Sequence, residues 1–221
     1  MNKYKNLIII MFFIFCFSIS YVYADVSDLP LLGKVVYLDA GHGGVDEGAS
    51  SNNIKEKDIN LVLVKKLEKE LVSKGAIVYL TREGDYDLSK TKINRKRSDL
   101  ANRAKLINDS KADMYISIHL NSTTDSRWRG IQIFYNGINS ENKVLADSMN
   151  SVLKENLSNV REVKKENDYY MYKRITNVPG ILIEVGFLSN PNDNYILRDS
   201  SYQDKLVNNI ILGVINYFNL K

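Results

Sequence analysis

Apolar positions along this chain come as short unbroken runs that alternate with longer stretches of helical spacing. Val35, Val36, Tyr37 and Leu38 form the first run, the pattern of a strand buried on both faces. Residues 56–73 follow, with Ile59, Leu61, Val62, Leu63, Leu67 and Leu71 on one face at mixed i, i+3 and i+4 spacing. Glu56, Lys57 and Asp58 fall in the first turn of this helix, where acids suit the positive end of the dipole. Gly75, after Lys74, is a left-handed stop. A second strand is expected over 76–81, then a polar loop. A second helix over 94–108 turns Leu100, Ala101, Ala104, Leu106 and Ile107 inward, and a third strand spans 112–119. The resulting βαβαβ order implies a parallel sheet with right-handed crossovers.

The second half continues in the same style. Residues 130–135 alternate and read as a strand, and 139–156 as a third helix with Ser140 as its cap. A short edge strand is expected near 169–173, a last buried strand over 181–185, one or two helical turns over 192–197, and a closing amphipathic helix over 202–218. The expected fold class is α/β: a single domain with a twisted, mostly parallel central sheet of about six strands and helices on both faces.

The first residues break this pattern. Lys3 and Lys5 precede an apolar run over 7–18, and Val22-Tyr23-Ala24 resembles a cleavage site. Together these read as an export signal over 1–24 rather than a span of ~20 residues. A short segment over 25–33 then leads into a single domain over 34–221, and the expected location is outside the membrane. The one cysteine, Cys16, lies in the signal. The remaining chain must therefore be held by its core and not by disulfides. Removing Lys3 and Lys5 from the net charge of +4 leaves +2, which gives no case for a nucleic-acid partner. Basic clusters such as Lys92-Arg95-Lys96-Arg97 read as solvated faces.

The chemistry lies where strands end. The first strand runs into Asp39-Ala40-Gly41-His42-Gly43-Gly44, and its glycines allow a sharp turn that presents His42. The loop lacks a Gly-Lys-Ser/Thr ending and GxGxxG spacing, which argues against a phosphate cradle. The chain has only two histidines, and the second, His119, also leaves a buried strand. Glu184 places a carboxylate inside Ile181-Leu182-Ile183-Glu184-Val185-Gly186-Phe187, where an unpaired charge costs several kcal/mol. Two histidines and one acid are the donor set of a catalytic zinc site with a position left for water. A further carboxylate is then needed to move the proton. Glu56 and Glu184 compete for these two roles, and spacing alone leaves the assignment open.

Taken in order, Asp39 to Ala49, Lys55-Glu56-Lys57-Asp58-Ile59-Asn60-Leu61, Thr81-Arg82, Arg97 with Ala101-Asn102, Ser117-Ile118-His119-Leu120-Asn121, and Pro179 to Asn190 resemble the zinc-dependent N-acetylmuramoyl-L-alanine amidases of bacterial cell walls. The resemblance runs from about Lys34 to the C-terminus, with Ala40 standing where the family usually has proline. It implies His42, Glu56 and His119 as Zn2+ ligands and Glu184 as the catalytic carboxylate. Asn121, Asp39 and Asp46 are weaker candidates for substrate or ligand-supporting contacts.

The implied reaction is hydrolysis of the amide between the lactyl group of N-acetylmuramic acid and L-alanine in peptidoglycan. A signal plus a bare catalytic domain resembles the germination-specific amidases of spore formers, which strip stem peptides from cortex before muramic δ-lactam forms. Only about fifty residues separate Trp128 from Pro179, and strand, helix and edge strand account for them, so no inhibitory helix is expected over the site. Control then falls to timing, zinc supply or an activating partner such as a membrane-anchored protein, and the resemblance implies action in the cell wall or spore cortex. Two alternatives belong to other classes: a zinc peptidase cutting within the stem peptide, and a wall-binding module without catalysis.

Overall fold

The computed structural model describes residues 2–26, 29–51 and 53–221, with side chains described for 4–16, 29–51 and 53–221. In chain order the elements are α1 (Asn2–Val26), β1 (Val35–Ala40), β2 (Ser50–Ser51), β3 (Ile54–Lys55), α2 (Glu56–Ser73), β4 (Ile77–Leu80), α3 (Arg95–Asp109), β5 (Met114–Asn121), β6 (Gln132–Tyr135), α4 (Ser140–Asn156), β7 (Lys164–Lys165), β8 (Gly180–Phe187), α5 (Pro191–Ile196) and α6 (Ser200–Asn219). A 3-10 turn covers Tyr172–Arg174. The segment expected over 25–33 includes residues 27 and 28, which lie outside the described residues, as does Asn52 of the loop after the first glycines.

Six strands form one sheet in the order β4-β1-β5-β8-β6-β7. All neighbours are parallel except β6 and β8, so the expected mostly parallel α/β sheet is present. Strand periodicity sorts its side chains onto two faces. On one face Val36, Leu38, Ile116, Ile118, Ile181 and Ile183 meet Leu63, Leu67, Met149, Leu153, Ile210 and Val214 from α2, α4 and α6 in the larger core. The other face carries Tyr37, Tyr115, Leu182 and Phe134, covered by Ala104 and Ile107 of α3 and by Met171, Tyr172, Ile175 and Val178. Beyond that smaller core the same face turns polar, with Asp39, Ser117, His119, Glu184 and Gln132. The functional cleft opens there, toward the carboxyl ends of the parallel strands.

Several local expectations are corrected. The edge strand is Lys164–Lys165, paired with Phe134 and Tyr135, rather than 169–173. Two exposed lysines suit a sheet edge. Within 169–173, Met171 and Tyr172 instead turn inward, where the Tyr172 ring stacks on Tyr115 at 6.3 Å and its hydroxyl donates to Ser117 Oγ at 3.0 Å. The cap of α4 is Asn139, whose side chain accepts from Glu141 N at 2.9 Å, and not Ser140. The loop after the glycine turn contains a small antiparallel pair, β2 with β3. Between Trp128 and Pro179 the only α-helix among the described residues is α4, and its Leu145, Met149 and Leu153 lie in the larger core, across the sheet from the cleft.

Among the described residues no helix is long and apolar enough to cross a membrane. The described side chains of α1, residues 4–16, are all exposed.

Candidate metal centre and active site

His42 stands just past β1 with φ +62°, a left-handed conformation that costs a non-glycine residue energy and must be held by its surroundings. Two buried guanidinium groups hold it. Arg103 of α3 donates to the carbonyls of Ala40 at 2.7 Å and His42 at 2.6 Å. Arg82, just after β4, donates to the carbonyls of Ala40 at 2.9 Å and Gly41 at 3.1 Å. Asn60 adds a fifth contact, to the Gly41 carbonyl at 3.1 Å. Gly41 is required by space: a Cβ there would lie 2.3 Å from the His119 ring.

His119 lies near the end of β5, where the register with β8 becomes irregular between His119 and Asn121, a common device for aiming a side chain beside an active site. Glu56 opens α2. Its Oε1 lies 3.1 Å from His42 Nε2 and 3.0 Å from His119 Nδ1, and it accepts from Leu120 N at 3.0 Å. Its Oε2 accepts from Ala49 N at 2.8 Å. One donor atom from each of His42, Glu56 and His119 lies within 4.8 Å of the others, a cluster able to hold a metal ion. Two nitrogens and one carboxylate oxygen match a three-ligand catalytic zinc set. Asp46 Oδ2 stands 3.0 Å from His42 Nδ1, at ion-pair distance but out of hydrogen-bond alignment. Carboxylates in that position orient histidine ligands.

The charges of the cluster are coupled. Burial disfavours a charged His42, but the Asp46 and Glu56 carboxylates outweigh it and raise its pKa to about 9. Burial raises the Glu56 carboxyl, yet the two histidines hold it well below the usual carboxylate range. Glu184 behaves in the opposite way. Burial pushes it up to about 7; nearby His119 pulls it down and Glu56 pushes it up. Its Oε2 is buried with no partner. Such a group can both take and give a proton near neutral pH.

The four principal sequence candidates therefore meet, since His119 and Glu184 are register partners. His42, His119, Asp46 and Glu184 line a cavity of about 280 Å³, together with Lys96, Leu100, Tyr170 and others. Asp39 also lines this cavity, although the residue is almost wholly buried. It accepts from Thr81 Oγ1 at 2.7 Å, Arg103 Nη1 at 2.8 Å and Ser117 Oγ at 2.5 Å. Asn121 does not line the cavity, and its carbonyl accepts from Leu188 N at 2.7 Å. Sequence reasoning gave no role to Arg82 and missed Arg103 altogether. The signal for Arg103 was present, because a charge three residues after Leu100 and four before Ile107 sits on the apolar stripe of α3.

Residues 36–216 match the N-acetylmuramoyl-L-alanine amidase family. The chain belongs to that family and is an enzyme of its activity, acting on peptidoglycan. Among its relatives is the germination-specific N-acetylmuramoyl-L-alanine amidase of Bacillus subtilis, 44% identical over 198 residues, covering 87% of this chain and 83% of the relative. The probable cell wall amidase LytH of Staphylococcus aureus is 35% identical over 193 residues, and the match spans 60% of its length and 86% of this chain. The CwlD amidase of Clostridioides difficile, solved in complex with the GerS lipoprotein, superposes with a TM-score of 0.81 at 39% identity, covering 86% of this chain and all of that one.

Proposed function

We propose that the chain is a zinc-dependent amidase of the spore cortex, exported by residues 1–24. In this reading His42, Glu56 and His119 hold the metal and Glu184 moves the proton. The observation that carries it is the pairing of a His-Glu-His cluster with a buried carboxyl, Glu184, whose Oε2 has no partner. When bound, zinc supplies a Lewis acid that polarises a carbonyl and acidifies water.

Glu184 takes a proton from the attacking water as its oxygen bonds to the lactyl carbonyl carbon. It returns that proton to the alanine nitrogen as the C–N bond breaks, leaving a lactyl carboxylate and a free peptide amine. Asp46 keeps the His42 ring in place. The cortex role rests on the likeness to the germination-specific relative of B. subtilis, and it would make the product a precursor of muramic δ-lactam. A lipid-anchored protein partner is part of the same reading, because the C. difficile relative is solved with a lipoprotein.

The test is incubation of residues 25–221 with muropeptides and zinc, read by mass spectrometry. Peptides beginning at L-alanine are expected, and none from Glu184→Ala, which should still bind zinc. Peptides beginning at a later residue would make the enzyme an endopeptidase, and loss of zinc from Glu184→Ala would move Glu184 into the ligand set.

A further inference from the structure

The cleft has a second side that the chemistry above does not use. Residues paired across strands project to the same face. His119 pairs with Glu184, and Glu184 with Gln132, so these three form a row across β5, β8 and β6. The row continues past β6: Arg161 donates through Nε to Gln132 Oε1 at 2.7 Å. The Arg161 guanidinium lies 4.4 Å from the centre of the Trp128 ring and 5.7 Å from that of Phe187. A polar track thus leads from Glu184 through Gln132 and Arg161 to an indole.

Trp128 is the chain's single tryptophan, and 47% of it is open to solvent. Its loop is held on both sides. Thr123 N donates to Ser189 Oγ at 3.1 Å, Asn190 Nδ2 to the Ser126 carbonyl at 2.7 Å, and Gly130 N to Asp193 Oδ2 at 2.7 Å. Gly130 has φ +91°, and a Cβ there would lie 1.9 Å from the Asn159 carbonyl oxygen. A large aromatic ring kept at the surface by this much preorganisation contributes little to the core, and a fixed ring is what a ligand platform needs.

We propose that Trp128, braced by Arg161, is the platform for the pyranose ring of the muramic acid whose amide is cut. This rests on the amidase reading and adds a direction to it. The scissile carbonyl must sit at the His42-Glu56-His119 cluster beside Glu184. α3, with Lys96 and Leu100, packs on the β1 side of that point, and Trp128 lies on the β6 side. A sugar on Trp128 therefore sends the stem peptide toward α3. The occupant is a sugar because a flat indole pairs with the C–H face of a pyranose ring, while the amide and hydroxyl groups of the sugar can reach the Gln132 and Arg161 side chains.

Trp128 reports on its own ligand through its fluorescence. The probe is the peptide-free disaccharide of N-acetylglucosamine and N-acetylmuramic acid, which contains no amide that the enzyme can cut. A saturable change in emission is expected with this disaccharide and none with the free stem peptide. On disaccharide-bearing muropeptides, Trp128→Ala should raise KM about tenfold with kcat, melting temperature and zinc content unchanged, and Trp128→Phe should recover part of the loss. No emission change with the disaccharide, an equal change with the peptide, or an unaltered KM in Trp128→Ala would overturn the proposal. Release of alanine-initiated peptides by the unsubstituted protein tests the amidase reading separately, and the emission titration still decides the platform if that reading fails.

Discussion

Gly41 shows how tightly single positions are set. Its missing Cβ leaves room for the His119 ring, which a methyl group would meet at 2.3 Å. Gly41→Ala should therefore fold but bind zinc at least tenfold more weakly, because misplaced supports cost 10–100-fold in metal affinity; chelator competition measures this. Glu184→Gln keeps the shape of the side chain and loses its proton chemistry, so kcat should fall by about 10²–10⁴ with zinc content intact. The roles of His42, His119 and Glu184 could be sought in the sequence because each sits at or near the exit of an apolar run, where polar residues stand out. Asp46 enters the sequence reading only as a weaker candidate, and Gln132 does not enter it. One becomes relevant through a turn and the other through strand pairing, and neither contact can be read from neighbouring residues.

At the level of elements, one buried network ties β1, β4, β5 and α3 together through Asp39, Thr81, Ser117 and Arg103. Burial raises the Asp39 carboxyl, but Arg103, His119 and the Ser117 and Thr81 hydroxyls outweigh it and hold it at about 2, below its ordinary 3.8. A carboxyl with a depressed folded pKa stabilises fully above its unfolded pKa, and that contribution is lost as pH falls through the folded value. Asp39 should therefore contribute about 2 kcal/mol at neutral pH that disappears between about pH 4 and pH 2. Denaturant melts across that window should show this slope in the unsubstituted protein and a flatter one in Asp39→Asn. That variant should also be less stable at pH 7, since it leaves the buried Arg103 without its Asp39 partner. Helices α2 and α4 and the buried strands were legible from period and run length. The segment over 169–173 was not, because its tyrosines carry strand propensity while packing over Tyr115 and Ser117 decides their conformation.

Across the whole molecule, two unequal cores flank one sheet. The larger fills the face under α2, α4 and α6, and the smaller covers only part of the other, leaving the polar cleft beyond it. The described side chains of α1 are all exposed and add nothing to either core. Removing residues 1–28 should leave the melting temperature unchanged to within about 2 °C, the scale of a change of about 0.5–1 kcal/mol in a domain of this size. Calorimetry of both forms checks this, and a large drop would mean that the segment packs on the domain. The sheet order was only partly legible. Parallel pairing follows from the βαβαβ rhythm, but the antiparallel insertion of β6 between β8 and β7 depends on contacts far apart in sequence.

The clamps on the His42 turn also bear on how the enzyme is switched on in time. Arg82, Arg103 and Asn60 fix the carbonyls of Ala40, Gly41 and His42 through protein groups alone. None of these contacts involves an ion, so on the proposed zinc reading the turn should be preformed. Stripped enzyme given zinc should regain activity at a rate first order in zinc, with no lag and little change in near-ultraviolet circular dichroism. On that reading a folded protein waits inert until zinc is supplied, and its start is timed by the ion and not by chain rearrangement.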